Sequence, residues 1–285
     1  MLPRRGRHRR GSDRVRELID CHIHTERCGH ATGTVAQMVG AAVFSGMGGI
    51  VLTEHLPLPE SLDPDHQLAM LSCDLASYAD EVREQAARVK GLEVVLGAEA
   101  DWLPGRESFA RDVRDTAREL GVQVLLGSVH FLDEWAFDDP HRIEEWETHD
   151  VDTVWRDYFS VWCDAASSGV FDVMAHPDLV KKFGHRPGFD PRELYSQAAV
   201  AAAAGGVLIE VSTAGLRKPV GELYPASDLL EAFSAAGVGA TVGSDAHAPD
   251  EVGYRLDAAY DALAKAGYDA VCFPTGPKRF REVAL

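Results

Sequence analysis

The chain of 285 residues contains no long apolar run. A bilayer-spanning helix needs about 18 or more apolar residues in succession, so no membrane partner is expected. Cysteine is scarce: five residues, at positions 21, 28, 73, 163 and 272, an odd number with no CxxC spacing. That fits reduced thiols in a cytoplasmic protein better than a disulfide framework. Positive charge is in deficit too, with 28 Lys and Arg against 45 Asp and Glu and a net charge of −17. Such a surface repels nucleic acid, so no nucleic-acid partner is expected. The one basic stretch is the N-terminus, MLPRRGRHRRGSDR. It lacks the apolar core of a secretory signal, so residues 1–17 read as a solvated, disordered arm without an assigned role.

What the remainder offers is alternation. Short apolar runs end near residue 22 and lie at 50–52, 94–96, 122–126, 171–175, 207–211 and 239–242, with a short terminal one at 270–273. Helical patterns separate them at 34–45, 73–90, 109–120, 151–168, 192–204, 227–236 and 255–266. Strand–helix alternation argues for a parallel sheet, and residues 18–285 are expected to form one α/β barrel domain. Two connections stand out. The segment 56–67 is rich in Pro and Asp and long for a strand-to-helix link, which points to substrate contact or a lid. The segment 131–150 is aromatic and acidic, with Trp135, Phe137 and Trp146, and is expected to cover the mouth of a site.

The strand ends carry the chemistry. His22 and His24 are spaced i, i+2, which puts both on one face of a strand. His30 follows in the next loop, and later strands end at His55, Glu99, His130, His176, Arg217, and Asp245 with His247. A barrel gathers its strand C-termini around one crater, where active sites of this architecture sit. Single polar strand ends arise by chance, but a set this complete points to a metal site. Imidazole with carboxylate suits Zn, Mn or Fe. Glu54 competes with His55, but alternation sends the two to opposite sides. Cys21 and Cys28 read as packed thiols, and His66, His141, His149 and His185 as loop residues. Arg217 offers a bidentate donor to an anion. Lys181 or Lys182 stands ready for similar work, and Asp178 to orient a ligand histidine. Nothing here fixes an oligomeric state.

The motifs DCHIHT, TEH, GAEAD, GSVH, MAHPD and GSDAH, in that order, resemble those of the polymerase-and-histidinol-phosphatase (PHP) superfamily, over residues 18 to 273. TERCGHATG, GSVHFLDEWAFD and VSTAGLRKPVGELYP look like its histidinol-phosphatase branch. The resemblance implies a distorted (β/α)7 TIM-like barrel of PHP type holding three divalent metals, Zn, Mn or Fe. It implies one metal on His22, His24, Glu99 and Asp245, a second on Glu99, His130 and His176, and a third on His30, His55 and His247. The chain departs from many relatives in having Glu54 where they have Asp, a position outside the ligand set.

The implied activity is hydrolysis of a small phosphorylated substrate, L-histidinol phosphate, in histidine biosynthesis. A hydroxide bridging the two metals that share Glu99 would attack phosphorus in line. Glu99, Asp245, His247 and Arg217 are the groups expected at the reacting centre, with Arg217, Lys181 and Asp178 on the substrate. Acidic and aromatic groups of 133–139 would meet the amine and imidazole. The rivals are a PHP phosphoesterase for another phosphate ester or nucleotide, an amidohydrolase-type deaminase, and a degenerate scaffold. The acidic body lacks the basic groove a nuclease needs. No lysine stands where a deaminase bridges its metals, and a scaffold would have shed ligands.

Overall fold

The computed structural model describes residues 16–285. The basic arm expected over 1–17 lies outside them except for Arg16 and Glu17, and Glu17 is docked by an ion pair to Arg281 at 2.6 Å. The apolar runs become strands buried on both faces, as parallel strands sheathed by helices must be. In chain order the elements are β1 (Ile19–Ile23), α1 (Val35–Phe44), β2 (Gly49–His55), α2 (Leu75–Arg88), β3 (Glu93–Asp101), α3 (Glu107–Glu119) and β4 (Val124–Ser128). A small hairpin follows, β5 (Phe131–Leu132) and β6 (Trp135–Ala136), then α4 (Val151–Ser167), β7 (Val173–Met174), α5 (Arg192–Gly205) and β8 (Leu208–Ser212). The chain ends with α6 (Ser227–Ala235), β9 (Ala240–Gly243), α7 (Leu256–Lys265), β10 (Ala270–Gly276) and β11 (Arg279–Ala284).

Seven parallel strands lie in the order β1-β2-β3-β4-β7-β8-β9. The sheet nearly closes on itself just past the ends of β1 and β9. There His24 N donates to Ala246 O at 2.9 Å and Ala246 N to His22 O at 3.3 Å. The buried Asp20 carboxylate seals the seam, accepting from Ser244 N and Gly253 N, each at 2.8 Å, and from Ser244 Oγ. The result is the expected seven-stranded α/β barrel. Two of its helices start at side-chain caps. Thr34 and Gln37 form a reciprocal capping box at α1, and Asp150 caps α4. On α4, Trp155, Tyr158, Phe159 and Trp162 are buried.

Three boundaries differ from the sequence pattern. β3 runs on to Asp101 because β4 pairs with it through Ala100 and Asp101, while Gly97 lets β2 approach on the other side: a Cβ there would stand 2.6 Å from Val51 Cγ1. β7 keeps only two residues because the Asp172 carboxylate takes the Leu125 amide, at 2.8 Å, from the ladder. β11 carries no apolar signal, since Val283 is its one buried residue, and it pairs antiparallel with β10 beside the barrel. Among the described residues no helix is long and apolar enough to cross a membrane.

Gly205 ends α5 against α4, and a Cβ on it would collide with the Ala166 carbonyl. Gly205→Ala is expected to cost about 1–3 kcal/mol of stability, the usual penalty of overpacking, read as a lowered denaturant midpoint.

Candidate metal centre

Strand register builds the floor of the crater. His55 on β2 lies directly beside Glu99 on β3, so both side chains leave the sheet on one face. Glu99 is 1% exposed, and its two oxygens serve different neighbours. Oε2 lies 3.2 Å from His22 Nε2, 3.4 Å from His24 Nε2 and 3.2 Å from His55 Nδ1. Oε1 lies 3.2 Å from His176 Nε2. Asp245 Oδ1 approaches His24 Nε2 at 3.3 Å and His22 Nε2 at 3.7 Å. His30 Nε2 and His247 Nε2 stand 3.1 Å apart.

Ligand atoms therefore converge in overlapping groups: His22, His24 and Glu99; Glu99, His130 and His176; His24, His55 and His247; and His30 with His247 and Cys28. The donor chemistry fits divalent metal ions, and so does one orphan. His24 Nε2 is buried without a hydrogen-bond partner at the centre of the first group. Cys28 is a packed thiol that donates to Thr25 O at 3.3 Å.

Electrostatics prepares the same set. Burial alone would raise the Glu99 carboxyl, but His22, His55 and the hydrogen bonds from His176 and His22 hold it well below the usual range. Asp245 is partly buried yet held low by His22 and His24. Burial, then the charge of His24, pushes His55 and His247 well down, towards the neutral form that binds metals. His176 and Asp245 have φ of 27° and 52°, a region that side chains enter only when their surroundings enforce it.

A ring of acceptors behind the histidines orients them. Glu210 Oε1 lies 2.9 Å from His22 Nδ1, and Asp101 Oδ1 3.0 Å from His130 Nδ1. Gln67 O lies 3.0 Å from His30 Nδ1 and Asp245 O 3.1 Å from His247 Nδ1. An acceptor at Nδ1 turns Nε2 inward. Glu54 belongs behind the site, with Oε1 3.6 Å from His24 Nδ1. Sequence reasoning passed over Glu210 and Asp101. Glu210 was nonetheless visible as a lone charge in the buried run VLIEVS, where a carboxylate needs a partner. Its space depends on Gly243, where a Cβ would collide with Glu210 Oε1. Asp101, two positions after Glu99, shares its face.

The crater opens into a cavity of ≈ 720 Å³, lined on one side by His30, His55, Glu99, His130, His176, Asp245 and His247. The 56–67 loop adds Leu58 and Gln67, and the 131–150 segment adds Phe131, Ala136, Asp138, Asp139, Pro140 and His141. His149 and His185 stack instead on Trp135 and Trp146.

Three substrate expectations need correction. Lys181 is fully buried in an ion pair with Asp178 at 2.8 Å and donates to Leu223 O. Asp178 in turn accepts from Ala226 N at 2.8 Å and orients no histidine. The pair pins two loops together, and the cations on the cavity wall are Lys182 and Lys218. Arg217 Nη2 donates to Ser244 O and Asp245 O at 2.9 and 3.0 Å, and Nε lies 3.2 Å from Glu251. Nε and Nη1 have no hydrogen-bond partner, but Arg217 does not line the cavity, so the expected bidentate grip gives way to a clamp on the Asp245 loop.

Glu210→Ala is expected to weaken metal retention about 10–100-fold, the usual effect of losing a ligand's carboxylate partner, measured as ions per chain in metal buffers.

Residues 20–214 match the PHP domain family. A Deinococcus radiodurans protein described as "Probable histidinol-phosphatase" is 40% identical over 261 residues, covering 90% of this chain and 96% of its own length. The Bacillus subtilis "Histidinol-phosphatase" is 28% identical, covering 84% of this chain and 97% of its own. Among solved structures, the Lactococcus lactis histidinol phosphate phosphatase in complex with zinc, L-histidinol and phosphate superposes with a TM-score of 0.75 at 18% identity, covering 92% of this chain and 98% of that one. The chain is a member of the PHP domain family, in its histidinol-phosphatase branch.

Proposed function

We propose that this chain is a metal-dependent phosphomonoesterase that converts L-histidinol phosphate and water to L-histidinol and phosphate, as a cytoplasmic step of histidine biosynthesis. The observation that carries the reading is Glu99, whose two oxygens serve separate histidine groups at the floor of a substrate-sized cavity. His22, His24, Glu99 and Asp245 would hold one ion, Glu99, His130 and His176 a second, and His30, His55 and His247 a third. Zinc, manganese and iron all suit these donors. Divalent ions bound there would lower the pKa of a coordinated water and neutralise the phosphoryl oxygens.

The chain's own groups supply the rest. Lys182 and Lys218 give the cavity wall positive charge that draws a phosphate dianion into an acidic protein. Asp138 and Asp139 line the wall as carboxylates for the cationic end of the substrate. Asp138 already faces Lys182 at 2.9 Å, whereas Asp139 uses only Oδ1, towards His141. Asp139 is therefore the better placed of the two to receive an amine. Arg217 acts through Asp245, keeping the Ser244–Asp245 backbone seated. The names of the relatives support the choice of histidinol phosphate over other monoesters.

Purified protein is expected to release phosphate from histidinol phosphate, to stop with chelator and to recover with zinc or manganese. No release from metal-loaded protein would sink the substrate assignment. His176→Ala is expected to fall to background, and full activity in that variant would sink the metal mechanism. Asp139→Asn keeps the cap on the following turn. It is expected to raise KM for histidinol phosphate while leaving KM for p-nitrophenyl phosphate, which has no amine, unchanged.

A further inference from the structure

The loop between β2 and α2 is tied to the crater in part by a residue whose carboxylate bonds no histidine. Asp63 is 5% exposed, and its carboxylate gathers three backbone amides. Oδ1 accepts from Gln67 N at 2.8 Å, while Oδ2 accepts from Leu68 N at 3.2 Å and Ala69 N at 3.1 Å. Those bonds satisfy a buried charge without a cation, and they fold residues 63–69 into one fixed turn.

The turn delivers the Gln67 carbonyl to His30. Gln67 O lies 3.0 Å from His30 Nδ1, closer than the Cys28 carbonyl at 3.2 Å. With Nδ1 held there, Nε2 points to His247 Nε2 at 3.1 Å. The fit between the two loops is tight. Gly29, at φ +85°, packs on the turn so closely that a Cβ would stand 2.9 Å from His66 O and 3.0 Å from Gln67 Cα. The far end of the loop is anchored on the same group of histidines, since Met70 N donates to His55 O at 3.2 Å. His30 itself sits in a short, exposed loop that offers its ring no other fixed acceptor than Cys28 O.

We propose that Asp63 is a positioning residue for the metal held by His30, His55 and His247, acting through the Gln67 carbonyl to hold the His30 ring with Nε2 turned inward. This rests on the reading of His30 as a metal ligand. On this reading the long 56–67 loop does more than wall the cavity, because it also completes the ligand set of the most exposed ion.

The test compares Asp63→Ala, Asp63→Asn and His30→Ala with wild type, each equilibrated against stepped free zinc, with ions per chain counted by elemental analysis. Asp63→Ala is expected to bind one ion about 10–100-fold more weakly, the range for lost support of a ligand histidine. His30→Ala should lose that same ion, and Asp63→Asn, which keeps an acceptor oxygen, should show a smaller loss. The remaining ions should bind as in wild type, and zinc-saturated variants should melt close to it. Wild-type affinity in Asp63→Ala beside a loss in His30→Ala would overturn the proposal, as would equal weakening of every ion. If Asp63→Ala does not fold, Asp63→Asn carries the comparison, and full zinc affinity there overturns it. A full complement in His30→Ala removes the premise and the proposal together. No substrate enters the experiment, so its outcome is separate from that of the histidinol phosphate assignment.

Discussion

A single buried carboxylate ringed by imidazoles governs this molecule. Glu99 lies among His22, His24, His55 and His176, all four with ring nitrogens within 3.4 Å of its oxygens. In a low-dielectric interior a lone carboxylate is costly, and so is a cluster of imidazoles forced to share protons. Each makes the other tolerable, and a divalent cation satisfies both. Much of the architecture follows from seating that group. Gly97 brings β2 against β3 so that His55 and Glu99 emerge side by side. Gly243 leaves room for Glu210 behind His22, and Asp20 fixes the loop that carries Asp245.

The candidate ligands other than His30 were legible in the sequence because they follow apolar runs, and a barrel turns strand ends into neighbours whatever their separation along the chain. The period-2 rule placed His22 with His24 and separated Glu54 from His55. Supporting residues were harder to read. Asp101 and Glu210 look like ordinary strand residues until their partners, 29 and 188 positions away, are known. The lysine pair shows the limit of reading charge along a loop. Lys181 and Lys182 are adjacent, yet Asp178 captures the first in the interior and leaves the second on the cavity wall. A one-residue difference in direction is set by the turn after β7, which local sequence pattern does not encode.

The walls of the cavity follow another logic. Much of them comes from the two long connections, 56–67 and 131–150, and both are held by polar bonds rather than by apolar packing alone. Asp63 collects amides in the first, while Lys182 binds the Asp138 carbonyl and carboxylate in the second. A wall made this way keeps a fixed shape while exposing polar groups to a charged ligand. Lys182 and Lys218 on that wall offer positive charge to an anionic ligand in an otherwise acidic protein.

The seam of the barrel gives the crater a further property. β1 and β9 are joined by backbone bonds from His22, near the end of β1, and His24, just past it, to Ala246 beyond β9, with Asp20 as the latch. His22 lies on the first strand, His24 just past its end and Asp245 just past the end of the last, so an ion gripped by all three would staple the barrel shut across the join between its first and last strands. Cation binding and closure of the cylinder would then be linked: a species that binds only the closed form stabilises that form in proportion to its own grip.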